Sequence, residues 1–358
     1  MELDSLLAQM TERKASDLHL AVGVPPVFRE AGNLVAAKSP NLTPEDLDAL
    51  LQPSLPEDRL AAAHQGSDFS ATLRHGGQAF RCHVFRERGR LAAAIRVIMD
   101  RLPTLDELHL PPVFERLTQA KRGLILVVGP TGSGKTTTLV SMLDHINRTR
   151  AERIHTVEGP MHYVLSSKLS LVTQRVIGED VESYERGLEA VMDADPDVVL
   201  IGELRTPETA RLALEMAETG HLVFSQMTAE TVADALARLL GLLGEPRDSA
   251  QRLLARTVQG IIAQRLLPRA APTGRVAANE ILLATPRVRQ MIADGQTDAA
   301  LLALAMEAAP QSGMQTMDDA LLGLHAAGVI SREAAESHLQ EKGRLPEPLP
   351  AHEFATLP

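Results

Sequence analysis

The sequence predicts an α/β protein in two parts: an α+β amino-terminal domain built from hairpins, then a parallel α/β domain. Three observations predict it. Residues 124–128 (LILVV) form an apolar run with no room for a polar face, as a strand buried on both sides of a parallel sheet requires. The run ends at Gly129, and Gly129-Pro130-Thr131-Gly132-Ser133-Gly134-Lys135-Thr136 then fits G-x-x-x-x-G-K-[ST] in full, with Thr137 opening a helix. Before residue 100 the pattern is that of strands joined by tight turns, whereas from Lys121 onward strand and helix alternate.

Taken in order, residues 3–12 carry Leu3, Leu6, Leu7 and Met10 at helical spacing. Residues 16–22 alternate Leu18, Leu20 and Val22 with Asp17, His19 and Ala21, the period of a half-buried strand. Pro25-Pro26 turns the chain, residues 27–29 extend again, and Gly32-Asn33 turns it once more. Helices are expected to start at Thr43 and Pro56, where acids follow in the first turn. Residues 68–73, 79–86 and 90–99 read as strands joined at Gly76-Gly77 and Arg88-Gly89. Residues 1–100 thus form the first domain, and Pro103 and Pro111-Pro112 mark a linker over residues 101–112. In the second domain, residues 113–343, strands are expected at 153–157, 198–201 and 221–225 and helices at 184–193 and 207–219. The remainder to residue 343 reads as largely helical, and residues 344–358, rich in proline, read as a flexible tail.

With 358 residues, 44% hydrophobic and 23% charged, the chain can bury a large core. A net charge of −10 argues against a broad nucleic-acid surface, so no nucleic-acid partner is expected. The single cysteine, Cys82, leaves no internal disulfide possible and fits a reducing cytoplasm. The amino terminus lacks the basic start and apolar core of a signal peptide, and no apolar run approaches ~18 residues, so membrane contact is expected to be peripheral.

The glycines of the 129–136 segment let backbone N–H groups converge on one anion, and the helix that follows adds the positive end of its dipole. Lys135 then reaches the β- and γ-phosphates of ATP as a point charge, and the Thr136 hydroxyl is the protein's ligand to Mg²⁺. Glu203, just beyond the apolar strand at 198–201, is where a carboxylate orients water and metal beside a phosphate loop.

Those motifs recur within a longer pattern. SDLHL followed by PP, Phe80-Arg81, KRG before the phosphate loop, GPTGSGKTTTL, DPDVVLIGELR, AETGHLVF and GMQT together make the chain, from about residue 2 to residue 340, resemble the PilT-type pilus retraction ATPases of the wider type II and type IV secretion ATPases. The resemblance implies a PAS-like amino-terminal domain, a RecA-like P-loop ATPase domain, and a homo-hexameric ring that holds ATP and Mg²⁺ between domains. It also implies a cytoplasmic protein at the inner face of the cytoplasmic membrane, acting on an inner-membrane pilus platform protein to retract type IV pili in twitching motility. Carried over by position, Gly129, Pro130, Thr131, Gly132, Ser133, Gly134, Lys135, Thr136 and Thr137 bind nucleotide. Glu203 and Glu158 serve catalysis, and Arg81 and Arg96 stabilise phosphate charge. Residues 286–292 match a helix needed for retraction, with Arg289 and Ile292 in common.

Two boxes depart from that family. The acidic box T-[IV]-E-D-P-I-E-[FY] is here Thr156-Val157-Glu158-Gly159-Pro160-Met161-His162-Tyr163, so the second glutamate, usually credited with activating water, is His162. The histidine box G-T-L-H-T is Ser225-Gln226-Met227-Thr228-Ala229. Nucleotide binding is therefore expected to outlive hydrolysis. Two functions follow as expectations: a Mg-ATP-driven retraction motor with reduced ATPase activity, and an accessory nucleotide-binding subunit that assists a second, complete pilus ATPase. A P-loop small-molecule kinase has no recognisable acceptor site in the sequence.

Overall fold

The computed structural model describes residues 1–99, 101–244, 246–270, 274–340 and 345. It divides into two compact units, Met1–Leu102 with Arg150–Pro196, and Pro103–Thr149 with Asp197–Pro358.

The first unit begins with α1 (Leu3–Glu12), β1 (Asp17–Ala21), β2 (Val27–Glu30), β3 (Asn33–Ala36), α2 (Pro44–Leu51) and α3 (Glu57–His64), followed by β4 (Phe69–His75), β5 (Gln78–Glu87) and β6 (Arg90–Ile98). Thr43 caps α2 in a reciprocal box with Asp46, which is why the helix starts at Pro44. The strands form one antiparallel sheet in the order β3-β2-β1-β6-β5-β4. Alternation then does what a period of two must: Leu18, Leu20, Phe80, Cys82, Val84, Ala93 and Ile95 enter a core with Leu6, Leu7 and Met10 of α1 and Leu47, Leu50 and Leu51 of α2. Cys82 is sealed in that core, and burial pushes its thiol up to about 12, which leaves it an inert packing residue.

The chain next builds α4 (Val113–Thr118), β7 (Gly123–Val128) and α5 (Lys135–Thr149) of the second unit. It returns to the first for β8 (Arg153–Glu158), β9 (Leu171–Val176) and α6 (Tyr184–Met192), where β8 and β9 pair in parallel. The second unit is completed by β10 (Val198–Ile201), α7 (Pro207–Thr219), β11 (Leu222–Met227), α8 (Val232–Leu243), α9 (Arg247–Thr257), β12 (Val258–Pro268), β13 (Arg275–Leu283), α10 (Pro286–Ala293), α11 (Ala299–Glu307), α12 (Met317–Ala326) and α13 (Arg332–Glu336). Its strands lie in the order β13-β12-β7-β11-β10, parallel except for the β12–β13 hairpin. Every residue of β7 and β10 is buried, as the unbroken apolar runs require.

Two expectations about elements are corrected. The stretch after residue 225 is not largely helical throughout: β12 and β13 interrupt it. β12 is central and buried on both faces, so its sequence, VQGIIAQRLLP, carries no period-two signal to separate it from a helix. β3 and β9 lie outside the expected strands: every residue of β3 is exposed and all of β9 except Val176 is exposed or half-buried, so neither presents a buried alternating face. Of the expected tail, residues 344 and 346–358 lie outside the described part, and Leu345 is buried in a cluster that includes Leu267, Val276 and Leu321. In the α10 segment, Val288, Met291 and Ile292 pack inward. Arg289 donates to the carbonyls of Ala255 (2.6 Å) and Arg256 (3.1 Å), satisfying the end of α9.

Candidate nucleotide site

The phosphate loop leaves the carboxyl end of β7 and enters α5. At Gly129, φ is 152°, and a Cβ there would meet the Gln264 carbonyl oxygen at 2.3 Å and Ser133 Oγ at 2.6 Å. Only glycine lets the loop close this tightly on β12. The same strand pins the loop from below: Gln264 Nε2 donates to the Ser133 carbonyl (2.7 Å), while Gln264 Oε1 accepts from Thr138 Oγ1 (2.8 Å). Gln264 carries no sequence signal of this role, because its segment reads as helix and its partners are far along the chain.

Lys135 folds back over its own loop, donating from Nζ to the carbonyls of Gly129 (2.8 Å) and Pro130 (2.9 Å). Burial lowers its pKa, and the charge of Glu203 partly offsets this. Among the described residues Ser133 Oγ is buried with no hydrogen-bond partner, and Thr131 and Gly132 are exposed at the loop tip. A cation, an orphaned hydroxyl and the start of a 15-residue helix converge on one small space, which is the donor set a polyphosphate needs. Among the described residues there is no group of three His, Cys, Asp or Glu side chains that could hold a metal by themselves. A Mg²⁺ that keeps water and phosphate oxygens and takes one protein hydroxyl fits this site, and Thr136 offers that hydroxyl.

Glu203 stands just past β10, which is separated from β7 in the sheet only by β11. Its Oε2 accepts from Arg205 Nη2 (2.6 Å) and Nε (2.7 Å), and its Oε1 from Thr228 Oγ1 (3.4 Å). The segment between the two strands reaches the phosphate loop as well: Gln226 Oε1 accepts from Thr136 Oγ1 at 3.1 Å. In the sequence Gln226 is visible only as a departure from the family's histidine box. The second unit therefore gathers Gly129 to Thr137 and Glu203 at the carboxyl ends of the strands of one sheet.

The two arginines stand in the first unit, and strand register explains their company. Asp17 pairs with Arg96, Arg96 with Arg81, and Arg81 with Thr72, so one row across β1, β6, β5 and β4 brings these side chains to one face. Two residues along, the next row on that face is His19, Ala94, His83 and Ser70. Together with Gly159 and His162 they line a cleft of about 730 Å³. Arg96 Nε donates to Asp17 Oδ1 at 2.6 Å. Burial alone would raise the Asp17 pKa, but hydrogen bonds from Ser16 and Arg96 hold it below the usual carboxylate range. Arg81 has its pKa lowered by burial and by Arg96 opposite. His162 is lowered by burial and then by both arginines, so it is neutral at neutral pH.

Glu158 is placed differently. It is 3% exposed at the end of β8, and its Oε1 accepts from Thr156 Oγ1 (2.7 Å) and Gln174 Nε2 (3.1 Å). Gln174 in turn holds the loop that carries His162, donating to the Tyr163 carbonyl (3.0 Å) and accepting from the Leu165 N–H (2.7 Å). Burial pushes the Glu158 carboxyl up. Its geometry is that of a brace for the 159–165 loop.

Comparison with known proteins gives a consistent picture. Residues 92–303 match the family model described as type II/IV secretion system protein. The chain is 37% identical over 350 residues to the type IV pilus retraction ATPase PilT of Pseudomonas aeruginosa, covering 97% of this chain and 99% of that protein. It is 34% identical over 341 residues to the type IV pilus ATPase PilU of the same organism, with coverage of 94% and 88%. The crystal structure of the pilus retraction motor PilT with bound ADP superposes with a TM-score of 0.87 at 37% identity, over 96% of this chain and 99% of that one.

Proposed function

The chain belongs to the type II/IV secretion system protein family, and from that premise we propose that it is a Mg²⁺-dependent ATPase whose hexameric ring drives retraction of type IV pili. The observation that carries the reading is the joint placement of Lys135, Thr136 and Glu203 at the carboxyl ends of the strands of one sheet, in a chain that matches a retraction motor over 97% of its length. Mg²⁺, when bound, neutralises the phosphate charge. The chain's own residues bind and orient: the loop amides and Lys135 hold the phosphates, Thr136 offers its hydroxyl, and Glu203 positions and deprotonates water. Glu158 contributes secondarily by bracing the loop of His162, and the cleft with Arg81 and Arg96 supplies positive charge to a nucleotide in the assembled ring. The reading keeps the expected division into a PAS-like domain to residue 100, a linker to 112 and a RecA-like domain to 343. It places the motor at the inner face of the cytoplasmic membrane, against the pilus platform protein.

The test of the reading is steady-state phosphate release by the purified protein beside Lys135→Ala. Removing a charge from a desolvated, hydrogen-bonded pair costs about 2–5 kcal/mol, so Mg-ATP affinity is expected to fall at least ~30-fold with turnover lost. Equal affinity in the two proteins would overturn the phosphate-loop assignment.

A second reading, an accessory subunit that binds nucleotide but hydrolyses little, is favoured by one observation: a neutral His162, not a carboxylate, faces the cleft. Restoring carboxylates tests it. On this second reading His162→Glu with Gly159→Asp raises turnover at least ~10-fold, because the new glutamate beside Arg81 and Arg96 supplies a missing base, whereas with Glu203 as the base turnover stays flat. A Cβ at Gly159 would lie 3.1 Å from Ile177 and 3.3 Å from the Tyr184 hydroxyl, so the single change His162→Glu is made alongside to separate chemistry from crowding. Flat turnover in both variants would show that water activation does not depend on this loop.

A further inference from the structure

We propose that Gln226 is the positioning residue for the Thr136 hydroxyl, and that residues 225–228 tie the phosphate loop to Glu203. The inference rests on the reading of Thr136 as metal ligand. β11 runs between β7 and β10, so its carboxyl end emerges between the two nucleotide motifs. Side chains there reach both ways. Ser225 Oγ donates to the Ile201 carbonyl at 2.8 Å, Thr228 Oγ1 donates to Glu203 at 3.4 Å, and Gln226 Oε1 accepts from Thr136 Oγ1 at 3.1 Å. The backbone beneath Gln226 is held too: its carbonyl accepts from the Leu204 N–H at 3.0 Å, and it pairs in register with Val127 of β7. This amide therefore projects from a fixed strand end.

The chemistry follows from the hydroxyl inventory. A threonine oxygen has one proton to donate and two lone pairs. With the proton committed to Gln226, the lone pairs are what Thr136 presents to the rest of the site, and a lone pair is what a hard cation takes. An apolar side chain of the same length would leave the proton free to rotate towards the cation. Gln226 also brings no charge, so it orients the ligand without competing for the metal. Partners of this kind, one step removed from a metal, are worth ~10–100-fold in metal affinity. The family box places a threonine at this position, and the longer amide here does a different job, spanning from β11 to α5.

The test measures the affinity of fluorescent ADP with Mg²⁺ and with EDTA, and takes the ratio as the metal-dependent gain. Gln226→Met is expected to reduce that gain at least ~10-fold while affinity in EDTA stays within ~2-fold of the parent. Gln226→Asn, too short to reach Thr136, is expected to do the same. On a Thr136→Val background, Gln226→Met is expected to add no further loss, because the two act through one hydroxyl. An undiminished gain in Gln226→Met and Gln226→Asn, or losses that add on the Thr136→Val background, would overturn the inference. The two levels separate cleanly: if Thr136→Val itself retains the full gain, the metal-ligand reading fails; if it loses the gain and the Gln226 variants do not, only the role of Gln226 fails.

Discussion

Glu203→Gln is expected to cut steady-state phosphate release by ~10²–10⁴-fold, the range for loss of a positioned general base, while Mg-ATP still binds. The amide preserves the shape of the side chain and one acceptor oxygen, so Arg205 or Thr228 keeps a partner and the turn after β10 keeps its form. What disappears is the negative charge. That charge now offsets the burial of Lys135, and removing it leaves the lysine a less compensated cation facing the phosphates. Affinity should therefore hold or tighten while the chemical step slows. Isothermal titration with Mg-ATP beside phosphate release separates the two. Turnover within a few-fold of the parent would reject Glu203 as the base and return the role to another group, with Glu158 first in line. Glu158 is the weaker candidate because its carboxyl is enclosed, raised in pKa and occupied on Oε1 by Thr156 and Gln174.

How much of this was legible follows from what each residue's neighbours are. The phosphate loop could be read because its chemistry is local: the strand, the glycines, Lys135 and Thr136 are contiguous, and β7 and α5 appear where the motif demands them. β10 and α7 matched the expected residues because an unbroken apolar run and a Thr-Pro capping start are also local signals. Gln264 and Gln226 were not legible, since each matters through a partner far along the chain, Ser133 and Thr138 for one, Thr136 for the other. A polar residue inside a buried strand was the available clue: Gln264 is 2% exposed in β12, and a buried amide must find partners. The pairing of Asp17 with Arg96 was hidden for the same reason, because register across β1 and β6 is a property of the sheet. The arginines could be named from resemblance alone, and their shared face became a physical statement only once the rows were known.

Arg81→Ala is expected to lower turnover by ~10³-fold, the lower end of the effect of a transition-state arginine, with no loss of fold stability. The stability half of this prediction comes from the sheet. Arg81 and Arg96 lie directly opposite on antiparallel strands, and like charges so placed are destabilising by roughly 0.2–1 kcal/mol. Asp17 relieves Arg96 through a 2.6 Å hydrogen bond, and Arg81 gains only the more distant field of the same carboxylate. Two guanidiniums held side by side in an open cleft are a cost to the unliganded protein, and an anion entering between them removes it. Deleting Arg81 should thus leave the melting temperature unchanged or slightly raised while catalysis falls. Arg96→Ala is the contrasting control. It strands the Asp17 carboxyl, whose side chain is 9% exposed, with Ser16 and an Arg29 nitrogen 3.8 Å away, so it should destabilise the fold as well as slow the enzyme. A melting temperature that drops in Arg81→Ala as it does in Arg96→Ala would mean that Arg81 serves the sheet. Turnover of Arg81→Ala within ~3-fold of the parent would remove the cleft from the catalytic cycle, since a group that stabilises the transferring phosphoryl cannot be that cheaply lost.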